Sequence, residues 1–150
     1  MKTCFSSAII LFSMLASVLS FGQSTTPAVT TKTYQLTVVI PNVSHREGTL
    51  HIGLANDEKT FTAESFKTQT LSVPASGAVQ VMFDGLPGGK YAVRIFQDLN
   101  GNDKMDFNGQ MPGEPFGFSN ITMLMGPPRY SDAAFDLNEN KVIDVAMMEM

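Results

Sequence analysis

From Tyr34 onward the chain alternates apolar and polar positions: Tyr34, Leu36, Val38 and Ile40 fall on one face, Gln35, Thr37 and Val39 on the other. Successive side chains of an extended backbone point to opposite faces, so this pattern predicts a half-buried strand, which Pro41 and Asn42 end. A polar turn through Ser44 to Gly48 leads to a second alternating run, with Leu50, Ile52 and Leu54 inward and His51 outward, and the two runs read as a hairpin. Asp57 to Phe66 breaks the alternation, and Phe61 and Phe66 are placed to cap one end of the core from a loop or a single helical turn. Strand signals return at Thr70 to Val73, then at Val79, Val81 and Phe83, and are clearest from Tyr91 to Gln97. Ala133 to Leu137, a turn at Asn138 to Asn140, and Val142 to Met147 read as a closing hairpin. Short strands separated by turn signals, without an amphipathic helix, predict an all-β fold: a single antiparallel Greek-key β-sandwich of about seven strands.

Two segments carry more information than their periodicity. Leu86-Pro-Gly-Gly-Lys-Tyr91 fits the tyrosine corner of Greek-key sandwiches, in which the phenol bonds back to nearby backbone, and equally a simple hairpin followed by a core tyrosine. Leu99 to Asp132 is rich in Gly, Pro and Asn, and structureless loops beyond ~15 residues are uncommon in compact domains. Met105, Phe107, Phe116, Phe118, Ile121, Met123, Leu124 and Tyr130 are too many large apolar groups for a solvated tail, so one long ordered loop packed on the sandwich is expected.

At the start of that loop, Asp98-Leu-Asn-Gly-Asn-Asp-Lys-Met-Asp106 concentrates oxygen ligands. Calcium takes ~6 to 8 oxygens, and an EF-hand loop supplies them at alternating positions. Counted from Asp98, the matching ligands are Asn100, Asn102, the Lys104 carbonyl and Asp106. Asp103 stands where Gly is usual, and Gly109 where a bidentate acid is usual; Glu114 is the nearest downstream acid able to fold back into that place. With Asp98 and Asp106 as the charged ligands, affinity belongs at the weak end, ~10⁻⁴ to 10⁻³ M. The competing expectation is an Asx-rich turn capping its own backbone. The similar spacing at Asp136 to Asp144 reads as a hairpin turn, because Val142, Ile143 and Val145 form a strand.

Other chemistry has less support. Met123, Met125, Met147, Met148 and Met150 are soft donors suited to Cu(I), yet no histidine or cysteine accompanies them, and Met is also a common core filler. His45 sits in a turn and His51 on a polar strand face, so both are expected to be solvated. A nucleophile elbow, a phosphate loop and a zinc-protease helix are all missing from the sequence. The alternative to a non-enzymatic module is a hydrolase using Asp106 or Glu114 as general base. Asn120-Ile-Thr122 matches a glycosylation acceptor, a motif frequent by chance.

Composition bears on compartment. Lys2, the apolar run from Ala8 to Leu19 and Ser20-Phe21-Gly22 form an export signal over residues 1–22, cut before Gln23, which also removes Cys4, the only cysteine. A Ser/Thr/Pro-rich leader, 23–33, precedes the sandwich domain, 34–150. The protein is expected to be exported, periplasmic or extracellular, and to have no membrane span, since the signal's apolar run is shorter than ~20 residues. Without disulfides its stability rests on burial or a metal. A formal charge of −4 argues against nucleic acid as a partner. An envelope protein, a peptide or a glycan is the expected partner class.

Gly89-Lys-Tyr-Ala-Val-Arg-Ile-Phe-Gln-Asp98, Asn100-Gly-Asn102, Asp106, Pro112-Gly-Glu-Pro-Phe-Gly-Phe-Ser-Asn120, Gly126-Pro-Pro128 and Asp132-Ala-Ala-Phe135 resemble the bacterial family known as domain of unknown function family 2141. The family usually has Gly at the position of Asp103. The resemblance implies an exported bacterial protein of unassigned activity. More distantly, the Leu-Pro-Gly-Gly-Lys-Tyr turn is similar to transthyretin-like and carboxypeptidase-regulatory-like sandwiches, mostly binding or spacer modules, which implies fold alone.

Overall fold

A computed structural model describes residues 31–149. The expected export signal, Cys4, the expected leader up to residue 30 and Met150 lie outside the described residues. In chain order the elements are β1 (Thr33–Ile40), β2 (Thr49–Ala55), α1 (Glu58–Thr62), β3 (Lys67–Ser72), β4 (Val79–Pro87), β5 (Gly89–Asp98), β6 (Phe107–Asn108), β7 (Met111–Pro112), β8 (Phe116–Phe118), α2 (Tyr130–Ala133), β9 (Phe135–Leu137) and β10 (Lys141–Asp144). One sheet has the order β10-β1-β4 and a second β3-β2-β5-β8; β9 pairs with the start of β5, and β6 with β7 makes a small ribbon.

The faces that alternation marks as apolar are the ones buried. Leu36, Val38 and Ile40 of β1 and Val79, Val81 and Phe83 of β4 share one core cluster with Leu50, Ile52 and Leu54 of β2 and Val93 and Ile95 of β5. Both sheets thus bury their inner faces in the same core, and the fold is predominantly β as expected.

Strand partners differ from the sequence expectation. β1 and β2 form no hairpin: β1 pairs with β4, Val38 opposite Val81, while β2 pairs with β3 and β5. The segment from Pro41 to Gly48 is far longer than the ~2 residues of a tight hairpin and carries the chain from one sheet to the other. Buried Gln97 fixes it there, its side-chain amide donating to the His45 and Glu47 carbonyls at 2.8 and 2.7 Å. The closing hairpin is also absent. β9 joins β5, and β10 runs parallel to β1, Val38 opposite Ile143, so the arrangement is not wholly antiparallel. With β4 on one edge of β1, the other edge would present unpaired amides and carbonyls, and β10 covers them.

Of the two readings left open for Leu86 to Tyr91, the bond of a corner is the one present: the Tyr91 hydroxyl donates to the Pro87 carbonyl at 2.9 Å where the chain passes from β4 to β5. Burial pushes the phenol pKa up. α1 begins at a capping box in which Asp57 accepts from the Thr60 amide at 2.7 Å. Phe61 is buried from α1, whereas Phe66, expected to cap the core with it, lies exposed beside Tyr91. Arg94 ties α1 to the sheet by donating to the carbonyls of Phe61 and Ala63 and to Ser65 Oγ. A Cβ at Gly53 would stand 2.3 Å from Ser65 Oγ, so this tie requires glycine there.

The long loop packs only in part. Phe116 is buried, and Phe118, Ile121 and Tyr130 cover a small second core of Ala55, Phe61, Ala92 and Ala133. Ser119 fastens it, accepting from the Val93 amide at 2.9 Å and donating to the Ala133 carbonyl at 2.7 Å. Phe107 and Met123 remain exposed, contrary to expectation, and so does Met125. The polar anchors around them hold the backbone without needing these side chains inside.

Candidate metal centre

β5 ends at Asp98, whose side chain is 1 % exposed and whose carboxylate collects the first turn of the loop. Oδ1 accepts from the amides of Asn100 at 3.2 Å, Gly101 at 2.7 Å and Asn102 at 3.3 Å, and Oδ2 accepts from the Asp103 amide at 2.8 Å. Burial pushes this carboxyl up, but the four amides from Asp103, Gly101, Asn102 and Asn100 outweigh it and hold its pKa below the usual carboxylate range. Gly48 lies beneath, with φ of 75° and its missing Cβ only 2.2 Å from the Asp98 carbonyl oxygen, so no larger residue fits that contact.

Asp103 adopts the left-handed backbone that the turn demands, with φ of 59°, a conformation Asp tolerates better than most residues. Asn100 Nδ2 donates to Asp106 Oδ2, and Asn102 Nδ2 lies 3.1 Å from both Asp106 oxygens. The amide oxygens accept from backbone: Asn100 Oδ1 from Asn102 at 3.1 Å, and Asn102 Oδ1 from the Lys104 amide at 2.8 Å. Glu114 folds back as expected. It is 6 % exposed, with Oε1 accepting from the Leu99 amide at 2.9 Å and Oε2 from the Asp106 amide at 3.3 Å.

Asp98, Asn100, Asn102, Asp106 and Glu114 are therefore brought together around one turn, and Lys104 joins through its backbone amide, a donor to Asn102, in place of the carbonyl expected as a ligand. The donor set is all oxygen, suited to a hard cation; Asp98 Oδ2 and the two Glu114 oxygens each accept one amide and keep a lone pair, whereas Asp98 Oδ1 already accepts three. In the arrangement described, however, the loop caps itself. A cation beside Asp106 would require the Asn100 and Asn102 amides to turn their oxygens toward it.

His51 is the residue the sequence reading missed. Read as solvated, it is in fact 14 % exposed at the side chain, stacked on Phe96 with ring centroids 4.6 Å apart and planes 4° apart. Its Nε2 faces Asp98 Oδ2 at 3.9 Å and Asp103 Oδ1 at 3.6 Å. The signal is cross-strand: His51 is directly opposite Phe96 in the register of β2 and β5, which period-two alternation alone does not give. His45 lies at the surface, 3.3 Å from a Glu149 oxygen.

Beside this turn a cleft of about 710 Å³ crosses the outer face of the second sheet, its floor including Arg94 and Phe96. One wall is α1 with Ser65; the other is the loop at Asp103, Lys104, Met105 and Phe107. Asp106 and Glu114 are not among its lining residues. The Asn120 side chain donates to the Ala134 carbonyl at 2.9 Å, so the glycosylation acceptor is tied into the fold. Asp136 and Asp144 fall on β9 and β10, in different sheets, and form no metal loop. Among the described residues no helix is long and apolar enough to cross a membrane.

No curated protein and no solved structure matches this chain. A family model described as an uncharacterized protein conserved in bacteria (DUF2141) matches residues 38–145, which run from the end of β1 through β10 and include the whole Asp98–Glu114 turn. The chain belongs to this bacterial family.

Proposed function

We propose that the chain is an exported, non-catalytic binding module of the bacterial envelope, a Greek-key sandwich in which a Ca²⁺-stabilised turn holds one wall of a ligand cleft. The observation that carries this is the position of the turn. Asp98 and Glu114 fasten it at residues 99–103 and 106, and the residues between, Asp103 to Met105, line the cleft. Phe96, Phe107, Phe116 and Phe118 give the cleft aromatic walls, which favour a peptide segment with apolar side chains over a glycan. Arg94 is already committed to α1 and Ser65, and the polar groups that remain, His51, Thr62, Glu64, Thr68, Asp103 and Lys104, are fewer than the apolar and aromatic ones. A hydrolase using Asp106 or Glu114 is disfavoured, since both carboxylates accept hydrogen bonds within the turn and neither lines the cleft.

Thermal melting in millimolar Ca²⁺ and in chelator tests the metal. Saturation at ~100-fold over Kd is expected to add about 2.7 kcal/mol. Identical midpoints would remove Ca²⁺ and leave the second reading, a self-capped structural module, which the Asn100 and Asn102 amides on Asp106 favour. Capture of a discrete partner from envelope extract by the mature chain, reduced when Phe96 is changed to Ala, tests the cleft.

A further inference from the structure

We propose that His51, Asp98 and Asp103 form a cation site of transition-metal type at the mouth of the cleft, distinct in ligand set and in metal from the oxygen-only turn. His51 Nε2 is a buried nitrogen with no hydrogen-bond partner, and an unpartnered buried polar atom is costly. It is aimed at two carboxylate oxygens that stand 3.6 and 3.9 Å away, too far for hydrogen bonds, and the three ligand atoms lie within 4.8 Å of one another. Metal–nitrogen and metal–oxygen bonds of ~2.0 to 2.2 Å at a tetrahedral angle put neighbouring donors roughly 3.4 Å apart. The two gaps at His51 exceed that by a few tenths of an ångström, and Asp103, 82 % exposed at its side chain, is free to approach both His51 and Asp98.

The ring is already oriented for this. Phe96 stacks flush against it, and Thr70 Oγ1 faces the other nitrogen, Nδ1, at 3.5 Å. Imidazole selects Zn²⁺ and its neighbours over Ca²⁺, which prefers oxygen throughout. Asp98 directs Oδ1 to the amides of Asn100, Gly101 and Asn102, while Oδ2 accepts the Asp103 amide and faces His51, so Oδ2 joins the turn to the cation site with its second lone pair. His51 and Asp103 both line the cleft, which leaves the remaining coordination positions open to a donor atom of a bound ligand.

The experiment uses the mature chain with Co²⁺ and Zn²⁺ alone as probes. Stoichiometric Co²⁺ is expected to give visible ligand-field bands that Zn²⁺ displaces. His51→Gln should abolish the bands and weaken Zn²⁺ at least about tenfold, Asp103→Asn should weaken it, and His45→Gln should change nothing. Circular dichroism and the melting midpoint of His51→Gln in chelator, matched to the parent chain, verify folding. Any Ca²⁺-dependent midpoint shift should survive in His51→Gln, which separates failure of this site from failure of the calcium turn. Absence of ligand-field bands together with absence of Zn²⁺ uptake, or equal Zn²⁺ affinity in His51→Gln and the parent, would overturn the proposal.

Discussion

Glu114 holds its carboxylate between the amides of Leu99 and Asp106, so a single buried side chain closes the turn at both ends. Glu114→Ala strands two backbone donors, and each unsatisfied group costs about 1–3 kcal/mol; Glu114→Gln keeps one acceptor oxygen and should lose less. Thermal melts of the two variants side by side check the order. Tyr91→Phe keeps the ring in the core and deletes only the bond to the Pro87 carbonyl, so a loss of about 0.5–1.5 kcal/mol in denaturant unfolding is expected. Leu86-Pro-Gly-Gly-Lys-Tyr91 fitted a corner and a simple hairpin equally, whereas Glu114 was legible in the sequence as the nearest acid able to return to the turn. His51 was not, because its role depends on Phe96 across the strand pair and on Asp98 at a strand end, neither of which is near it in sequence.

The turn from Asp98 to Asp106 is held by ionised carboxylate, which makes it the acid-sensitive element. Asp98 has a folded pKa below its unfolded one, so the stability it contributes is present above the unfolded value of ~3.9 and is lost as pH falls through the folded value. Amide exchange at Gly101 and Asp103, normalised for its intrinsic pH dependence, is therefore expected to lose protection between about pH 5 and pH 3, while β1, β4 and β5 keep theirs. Protection at these amides that stays constant across that range would sink the idea. Strand positions were readable from alternation, but strand partners were not. Period two fixes which side chains face inward, whereas pairing is set by which edges remain uncovered once the sheets face each other, as β10 on β1 illustrates.

Across the whole molecule, stability resides in the core between the two sheets and very little in the exposed apolar groups of the long loop. Phe83, buried between the sheets, should cost about 3–5 kcal/mol on truncation to Ala. Met125→Ala, at a fully open surface position, should stay within about 0.5 kcal/mol of the parent, as measured by equilibrium denaturation. The contrast marks the limit of composition as a guide: the apolar residues of Leu99 to Asp132 indicated order correctly, yet Phe107 and Met123 did not go inside, because hydrogen bonds through Ser119, Asn120 and Glu114 suffice to hold that backbone. By itself the sequence determined an all-β chain, the inward faces of β1, β2, β4 and β5, and the turn on which Asp98, Asn100, Asn102, Asp106 and Glu114 gather, since each of these follows from local periodicity or short chain spacing. Tertiary structure alone decided the crossing of β1 and β2 into different sheets, the parallel seat of β10 and the meeting of His51 with Asp98 and Asp103. Those depend on contacts between segments distant in sequence, which no local pattern encodes.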